Sequence, residues 1–190
     1  MGLLDSLLGR NKPVKANLDA LFALPQAAVT LDVAAGFKPT GIGAVCYRAS
    51  EGAAFASMQS DIQELLDADG GPAVERSEDS YGFTWLVCRQ SPDDLSELVT
   101  ELHTVNTTLE DNGFGPSLLC SVVGFKNADD KTLGLVYLYK RGSFYPFAPT
   151  GAERRDNALE LQIRGQISDD VPIEKDLGRW LAIWGAPGLS

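Results

Sequence analysis

The sequence predicts an α+β domain: a mostly antiparallel β-sheet with two long helices packed on it. Two long segments carry apolar residues at helical spacing, and several shorter apolar runs have the composition of strands. One pair of these runs, 118–125 and 132–140, is joined by a short polar connector that suits a hairpin. With 190 residues the chain is long enough to bury a core in a single domain.

The N-terminal residues predict short amphipathic helices. In MGLLDSLLGR the leucines share one helical face, and Gly9 to Pro13 end the pattern. This face would contact a membrane or a partner, or instead the chain's own core or a second copy, and both interpretations stay open. The residues concerned are Leu3, Leu4, Leu7, Leu8 and Arg10.

A second short helix is predicted over residues 17–24, ended by Pro25, and residues 29–33 alternate like a strand. We therefore predict a helical segment over residues 1–26 and one α+β domain over residues 27–190.

Two strand–helix units resemble each other. Val45-Cys46 precedes a helix predicted over 53–68, and Val87-Cys88 precedes a helix with Ser91 as N-cap and Pro92 at its first position. The similarity indicates either a duplicated unit or a chance match of a few features.

The remaining strands are predicted over 74–77, 82–88 and 158–167. In the last run Leu159, Leu161 and Ile163 alternate with Glu160, Gln162 and Arg164, as in a strand with one solvated face. Residues 173–184 carry apolar residues at helical spacing and are predicted to dock as a lid.

Composition and charge exclude several classes of protein. Acidic residues number 26 and basic residues 16, so a net charge of −10 disfavours nucleic acid as a partner. The longest apolar runs, 117–123 and 133–138, are shorter than the ~20 residues that cross a membrane. No signal peptide is recognisable, and three cysteines without CxxC spacing indicate reduced, buried thiols in a cytoplasmic protein.

No catalytic, cofactor or metal site is predicted. The chain has one histidine, His103, on the flank of a helical stripe, where a surface or boundary position is expected. The GxSxG elbow, the dinucleotide fingerprint and the phosphate-binding lysine motif are missing. The paired carboxylates lie mostly near helix ends and loops, which is typical of solvated caps and turns.

One segment, residues 137–149, combines aromatic and basic residues. It is either a partner-binding surface, since aromatic and arginine side chains anchor protein interfaces, or a strand and loop that cover one end of the core. The candidate partner-binding residues are Tyr137, Tyr139, Lys140, Arg141, Phe144, Tyr145 and Pro146.

An alternative function is the binding of an anionic metabolite by a small-ligand or enzymatic domain. A polar cluster shortly after the aromatic segment provides the candidate residues, which are Arg154, Arg155, Asp156 and Asn157. A solvated turn explains the same residues equally well. A purely structural module that forms oligomers through its N-terminal helix is a third hypothesis.

Several blocks along the whole chain resemble the PspA-associated protein PspAB family of actinobacteria and archaea. They include LDALFALPQAAVTL, ELLDADGG, LVYLYKRGSFYPFAPTG and WGAPGL. The resemblance implies a non-enzymatic accessory role in the phage-shock type of envelope stress response. The partners it implies are a PspA-like membrane-remodelling protein and an HtpX-type membrane protease, met in the cytoplasm at the inner face of the plasma membrane. It implies no catalytic residues.

Overall fold

A six-stranded antiparallel sheet organises the protein, in a computed structural model that describes residues 16–48, 53–68 and 74–190. The strands are β1 (Lys38–Arg48), β2 (Glu75–Glu78), β3 (Phe83–Arg89), β4 (Leu118–Lys126), β5 (Thr132–Leu138) and β6 (Ser143–Phe147). Their order across the sheet is β2-β3-β1-β4-β5-β6. The predicted α+β class and the predicted hairpin, now β4 and β5, are confirmed.

The described part of the chain has four α-helices. They are α1 (Leu24–Ala35), α2 (Ala53–Asp67), α3 (Leu95–Leu109) and α4 (Asn157–Ile167). The two long predicted helices correspond to α2 and α3. The N-cap of α3 is Asp94, whose carboxylate accepts a hydrogen bond from the Glu97 amide at 3.1 Å, so the prediction of Ser91 in this position was wrong.

Residues 29–33 are helical, which corrects the predicted strand. A 3₁₀ segment, Leu18–Ala23, leads directly into α1, and Pro25 lies in the first turn of α1 instead of ending a helix. The buried positions of α1 are Leu24, Ala27, Ala28 and Leu31, a helical spacing. They belong to the same core cluster as Leu18 and Leu21, while the leucine face of residues 1–15 lies outside the described residues.

Residues 157–167 are also helical, so the strand predicted over 158–167 was wrong. The buried residues of α4 are Glu160, Ile163 and Ile167, spaced by three and four positions, and Leu161 is exposed. The alternation of the sequence was misleading because a glutamate occupies a buried position.

One helical segment is long and apolar enough, by length and composition alone, to cross a membrane. It covers residues 18–35 with a mean hydropathy of 1.4. Its leucines pack into the core beneath the sheet, as those of a core helix do, so its hydropathy is weak evidence for a membrane span.

The two faces of the sheet are covered differently. The helices cover one face, and the C-terminal segment covers the other, where Trp180, Ala186 and Leu189 are buried. The predicted lid at 173–184 does dock on the sheet, but within it only the 3₁₀ turn Leu177–Arg179 is helical.

The two Val-Cys pairs point in opposite directions. Val45 and Cys88 face the helices, whereas Cys46 and Val87 face the C-terminal segment. Side chains alternate along a strand, so a shift of one position exchanges the faces. The Val-Cys similarity is therefore no evidence for a duplicated unit.

Candidate functional site

Most of the predicted partner-binding segment is core. Tyr137, Tyr139, Phe144, Tyr145 and Pro146 are buried, so their burial favours the strand and loop that cover the core over the partner-binding surface, the other interpretation of this segment. They are buried because β5 and β6 each place side chains on both covered faces of the sheet. Pro146 is tolerated because β6 is an edge strand.

The tyrosine hydroxyls of this segment have internal partners. Tyr137 donates to the Asn17 carbonyl at 2.7 Å, Tyr139 to the Glu110 carboxylate at 2.7 Å and Tyr145 to the Leu181 carbonyl at 2.9 Å. Burial raises the pKa of Tyr137 to about 12. These side chains fix the core, and only Lys140 and Arg141 are left exposed.

The residues of the predicted anion-binding cluster are engaged in contacts within the protein or exposed, and none of them lines the cavity described below. Arg155 is paired with the buried Glu160 at 2.8 Å, and its guanidinium lies 4.9 Å from the centre of the Phe147 ring. The Asp156 carboxylate caps α4 by accepting from the Leu159 amide at 2.9 Å. Arg154 and Asn157 are exposed. The partly buried Arg155 is therefore already paired with a carboxylate of the protein.

His103 lies at the boundary of the surface, as the sequence predicts. Its side chain is partly exposed, its Nε2 lies 3.3 Å from the Asp19 carboxylate, and its ring is 4.8 Å from that of Phe22.

An open cavity of about 640 Å³ lies on the face of the sheet opposite the helices. Side chains from β1, β3, β4 and β5 form its floor, and the C-terminal segment forms one wall. This volume is in the range of small-molecule pockets. The floor is apolar and includes Cys46, Phe83, Trp85, Leu119, Cys120 and Leu138.

Three polar side chains within the cavity, those of Asp79, Trp85 and Tyr145, have hydrogen-bond partners in the protein itself. The indole N–H of Trp85 donates to the Asp79 carboxylate at 2.9 Å, and the same carboxylate accepts from the amides of Tyr81 and Phe83. The Tyr145 hydroxyl donates to the Leu181 carbonyl, which belongs to the wall of the cavity. The floor thus offers an occupant mainly van der Waals contact.

Four cationic side chains line the mouth of the cavity. Arg141 pairs with Glu174 at 3.0 Å, and Arg179 pairs with Asp176 at 3.3 Å. Arg48 lies 5.9 Å from the centre of the Phe83 ring. Across residues 16–48, 53–68 and 74–190, Arg48 and Lys140 form no ion pair with a carboxylate, so the mouth carries a positive excess in a protein of net charge −10.

Two thiols lie side by side in the cavity floor. Cys46 on β1 is the register partner of Cys120 on β4, and both are buried and unpaired by a disulfide. A hydrogen bond with Cys120, together with burial, raises the pKa of Cys46, so this thiol stays protonated near neutral pH and is a poor nucleophile. Cys88, on the other face, has its pKa raised by burial.

A second feature is an exposed apolar stripe on the outer side of residues 18–35. Phe22, Val29 and Val33 expose 50%, 58% and 85% of their surface, and the exposed Gln26 lies between them. Positions 22, 26, 29 and 33 are separated alternately by four and three residues, which is the spacing of side chains that pack against a neighbouring helix. Gln26, Val29 and Val33 lie on α1, and Phe22 lies on the 3₁₀ segment that leads into it. We call these four residues the α1 stripe.

The sequence interpretation missed both features. The cavity mouth gathers Arg48, Lys140, Arg141 and Arg179 from distant parts of the chain, and no local pattern indicates this meeting. The α1 stripe was hidden because Val29, Leu31 and Val33 alternate, which favoured a strand.

Comparison with known proteins identifies a family that covers nearly the whole chain. The model of a family described as PspAB, PspA associated protein B, matches residues 1–188. No curated protein and no solved structure matches the chain.

Proposed function

Because this chain belongs to the PspAB family of PspA-associated proteins, we propose that it is a non-enzymatic accessory protein of the phage-shock type of envelope stress response. It acts by binding a PspA-type partner at the cytoplasmic face of the membrane, and the α1 stripe is its docking surface.

The observation that carries the proposal is the exposure of the stripe on a helical segment whose opposite side packs into the core. Apolar side chains that stay exposed along one helix face are typical of interaction sites. Valine and phenylalanine at this spacing suit the apolar face of a partner helix. Asp19 and Asp32 are exposed on the same segment, so basic residues beside the apolar face of the partner would complement it.

The absence of enzymatic activity is also part of the proposal. The Trp85 indole and the Tyr145 hydroxyl of the cavity are hydrogen-bonded within the protein. A hydrogen bond with Cys120 and burial raise the pKa of Cys46, and burial raises the pKa of Cys88. The His103 ring contacts Asp19 and Phe22. These groups lack the paired, exposed geometry that general acid–base or nucleophilic catalysis needs.

Site-specific photocrosslinking in the native cells tests the docking surface. A photoreactive residue at position 33 should form a covalent adduct with the PspA-type protein. The matched control carries the same residue at Leu161, which is exposed on α4 and lies outside the stripe. Adducts from both positions alike, or from neither, would contradict docking through the stripe.

The same crosslinking experiment also tests the other predicted partner, the HtpX-type protease. If position 33 crosslinks to an HtpX-type protease and not to the PspA-type protein, the α1 stripe binds the protease instead. Fractionation of the crosslinked cells locates the complex, which the proposal places in the membrane fraction on its cytoplasmic side.

A further inference from the structure

We propose that the open cavity is a binding site for an alkyl chain that carries an anionic head group. The alkyl chain would lie on the apolar floor, and the head group would lie at the mouth between Arg48 and Lys140. This inference concerns a different face of the protein from the α1 stripe and does not depend on it.

The floor selects an alkyl chain over an extended peptide. Any peptide main chain that enters the cavity needs partners for its N–H and C=O groups. The Trp85 indole and the Tyr145 hydroxyl already have protein acceptors, and the strands beneath are paired on both sides within the sheet. An alkyl chain has no polar atoms to satisfy, and it gains free energy in proportion to the apolar area that it buries.

The size of the cavity disfavours a helical segment as occupant. One turn of an α-helix, about 10–12 Å across with its side chains and 5.4 Å long, takes up roughly 500 Å³. The cavity volume of about 640 Å³ therefore accepts little more than a single turn. So short a helix is unstable unless flanking turns find contacts outside the cavity.

The mouth selects a negative charge. Arg141 and Arg179 are already paired with Glu174 and Asp176, whereas Arg48 and Lys140 have no carboxylate partner among the described residues. The carboxylate of Asp79 faces the cavity but is held by three hydrogen bonds. A carboxylate or phosphate head group would thus meet two cations that have no carboxylate partner within residues 16–48, 53–68 and 74–190, and it is less costly to place there than a cationic head group.

The charge of the mouth also disfavours the chain's own first residues. Residues 1–15 contain Arg10, Lys12 and Lys15 against the single acid Asp5. A basic segment gains no charge attraction from a mouth lined by four cationic side chains, whereas an anionic amphiphile does.

Direct binding of a simple probe tests the proposal. Dodecanoate, below its micelle concentration, is titrated into the full chain by calorimetry and by tryptophan fluorescence, since Trp85 and Trp184 line the cavity. We expect saturable binding with a change in fluorescence. Arg48→Gln and Lys140→Gln should each weaken dodecanoate binding roughly threefold to tenfold while changing the binding of dodecanol less than twofold.

The matched control is Lys126→Gln. Lys126 is an exposed cation at the far end of β4, paired with Asp130 and outside the cavity. It should leave dodecanoate binding unchanged. An equal loss of dodecanoate affinity in all three variants would show an effect of net charge alone and would overturn the proposed site. Unaltered dodecanoate binding in the two mouth variants would also overturn it.

Vesicles separate the two sources of such an amphiphile. Saturable binding of free dodecanoate identifies a fatty acid, whereas co-sedimentation with phosphatidylglycerol vesicles that both mouth variants lose identifies a membrane phospholipid. Failure of both probes to bind overturns the proposal. Dodecanoate binding that appears only after removal of residues 1–12 also overturns it, because the cavity would then belong to the N-terminal segment.

Discussion

The guanidinium of Arg155 donates from Nε to both carboxylate oxygens of the buried Glu160, at 2.8 and 3.0 Å. The same carboxylate accepts from the Ala148 amide at 2.9 Å, and Arg155 also donates to the Trp180 carbonyl at 2.7 Å. One ion pair thus connects α4, the end of β6 and the C-terminal segment, so the wall of the cavity depends on it.

Arg155→Met should lower the free energy of unfolding by about 3–5 kcal/mol, because it leaves the Glu160 carboxylate buried without its cation. Urea unfolding followed by circular dichroism measures the change. Arg154→Met is the matched control, since Arg154 is exposed, and it should stay within about 0.5 kcal/mol of the unaltered chain. Equal effects of the two changes would show that the ion pair is not important for stability.

Glu174 should make stability depend on pH in the acid range. Burial alone would raise the pKa of Glu174, but hydrogen bonds from Arg141, the Asp176 amide and Ser143 outweigh it and lower the pKa to about 2. A pKa below the ordinary value of 4.5 means that the folded state favours the charged carboxylate. Its stabilising contribution is complete above pH 4.5 and is lost as the pH falls toward 2.

Glu174→Gln should remove this part of the pH dependence. The difference in unfolding free energy between the unaltered chain and Glu174→Gln, measured at several pH values from 7 down to 2.5, should shrink below pH 4.5. A difference that stays constant over this range would contradict the lowered pKa.

Tyr145 should behave as a core residue. Tyr145→Ala removes a fully buried ring that stacks 6.0 Å from Trp180, centre to centre, and should cost about 3–5 kcal/mol of stability. Lys140→Ala, in the same segment but exposed, should cost less than about 0.5 kcal/mol. Thermal and urea unfolding check both values, and a mild effect of Tyr145→Ala would favour the surface interpretation of residues 137–149.

Gly41 should resist substitution more strongly than Gly82. Both have positive φ, +79° and +81°, so an added Cβ strains the backbone in each case, by about 1–2 kcal/mol. At Gly41 the Cβ would also lie 2.2 Å from the Gln90 carbonyl oxygen, whereas at Gly82 nothing lies within 4 Å. Gly41→Ala should therefore be the less stable variant in urea unfolding, and equal stability would contradict the close contact at β1.

The elements that were predicted correctly from the sequence are those in which apolar residues occupy nearly every buried position. In α3 all the apolar positions face the core, and the long strands β4 and β5 are apolar on both faces because both faces are covered. The helices α1 and α4 were missed because a residue of the unexpected polarity interrupts the pattern in each. In α1 the apolar Val29 and Val33 face outward, and in α4 the charged Glu160 faces inward.

The candidate sites could not be read from the sequence for a related reason. The aromatic residues of 137–149 have the composition of an interface, but both faces of their strands are covered. Tyr137, Tyr139 and Phe144 face the helices, and Tyr145 and Phe147 face the C-terminal segment, in long-range contacts that no local pattern reveals. The cavity mouth likewise exists only because β1, the β5–β6 turn and the C-terminal segment meet. The family resemblance, by contrast, was visible in contiguous blocks and is confirmed by the match over residues 1–188.

Calorimetric titration of the purified chain with the purified PspA-type protein tests the central claim most directly. We expect saturable binding that Val29→Glu combined with Val33→Glu weakens more than about tenfold, because two apolar contacts become buried charges. Leu161→Glu should leave the affinity unchanged. No binding, or equal affinity of all three proteins, would contradict association through the α1 stripe.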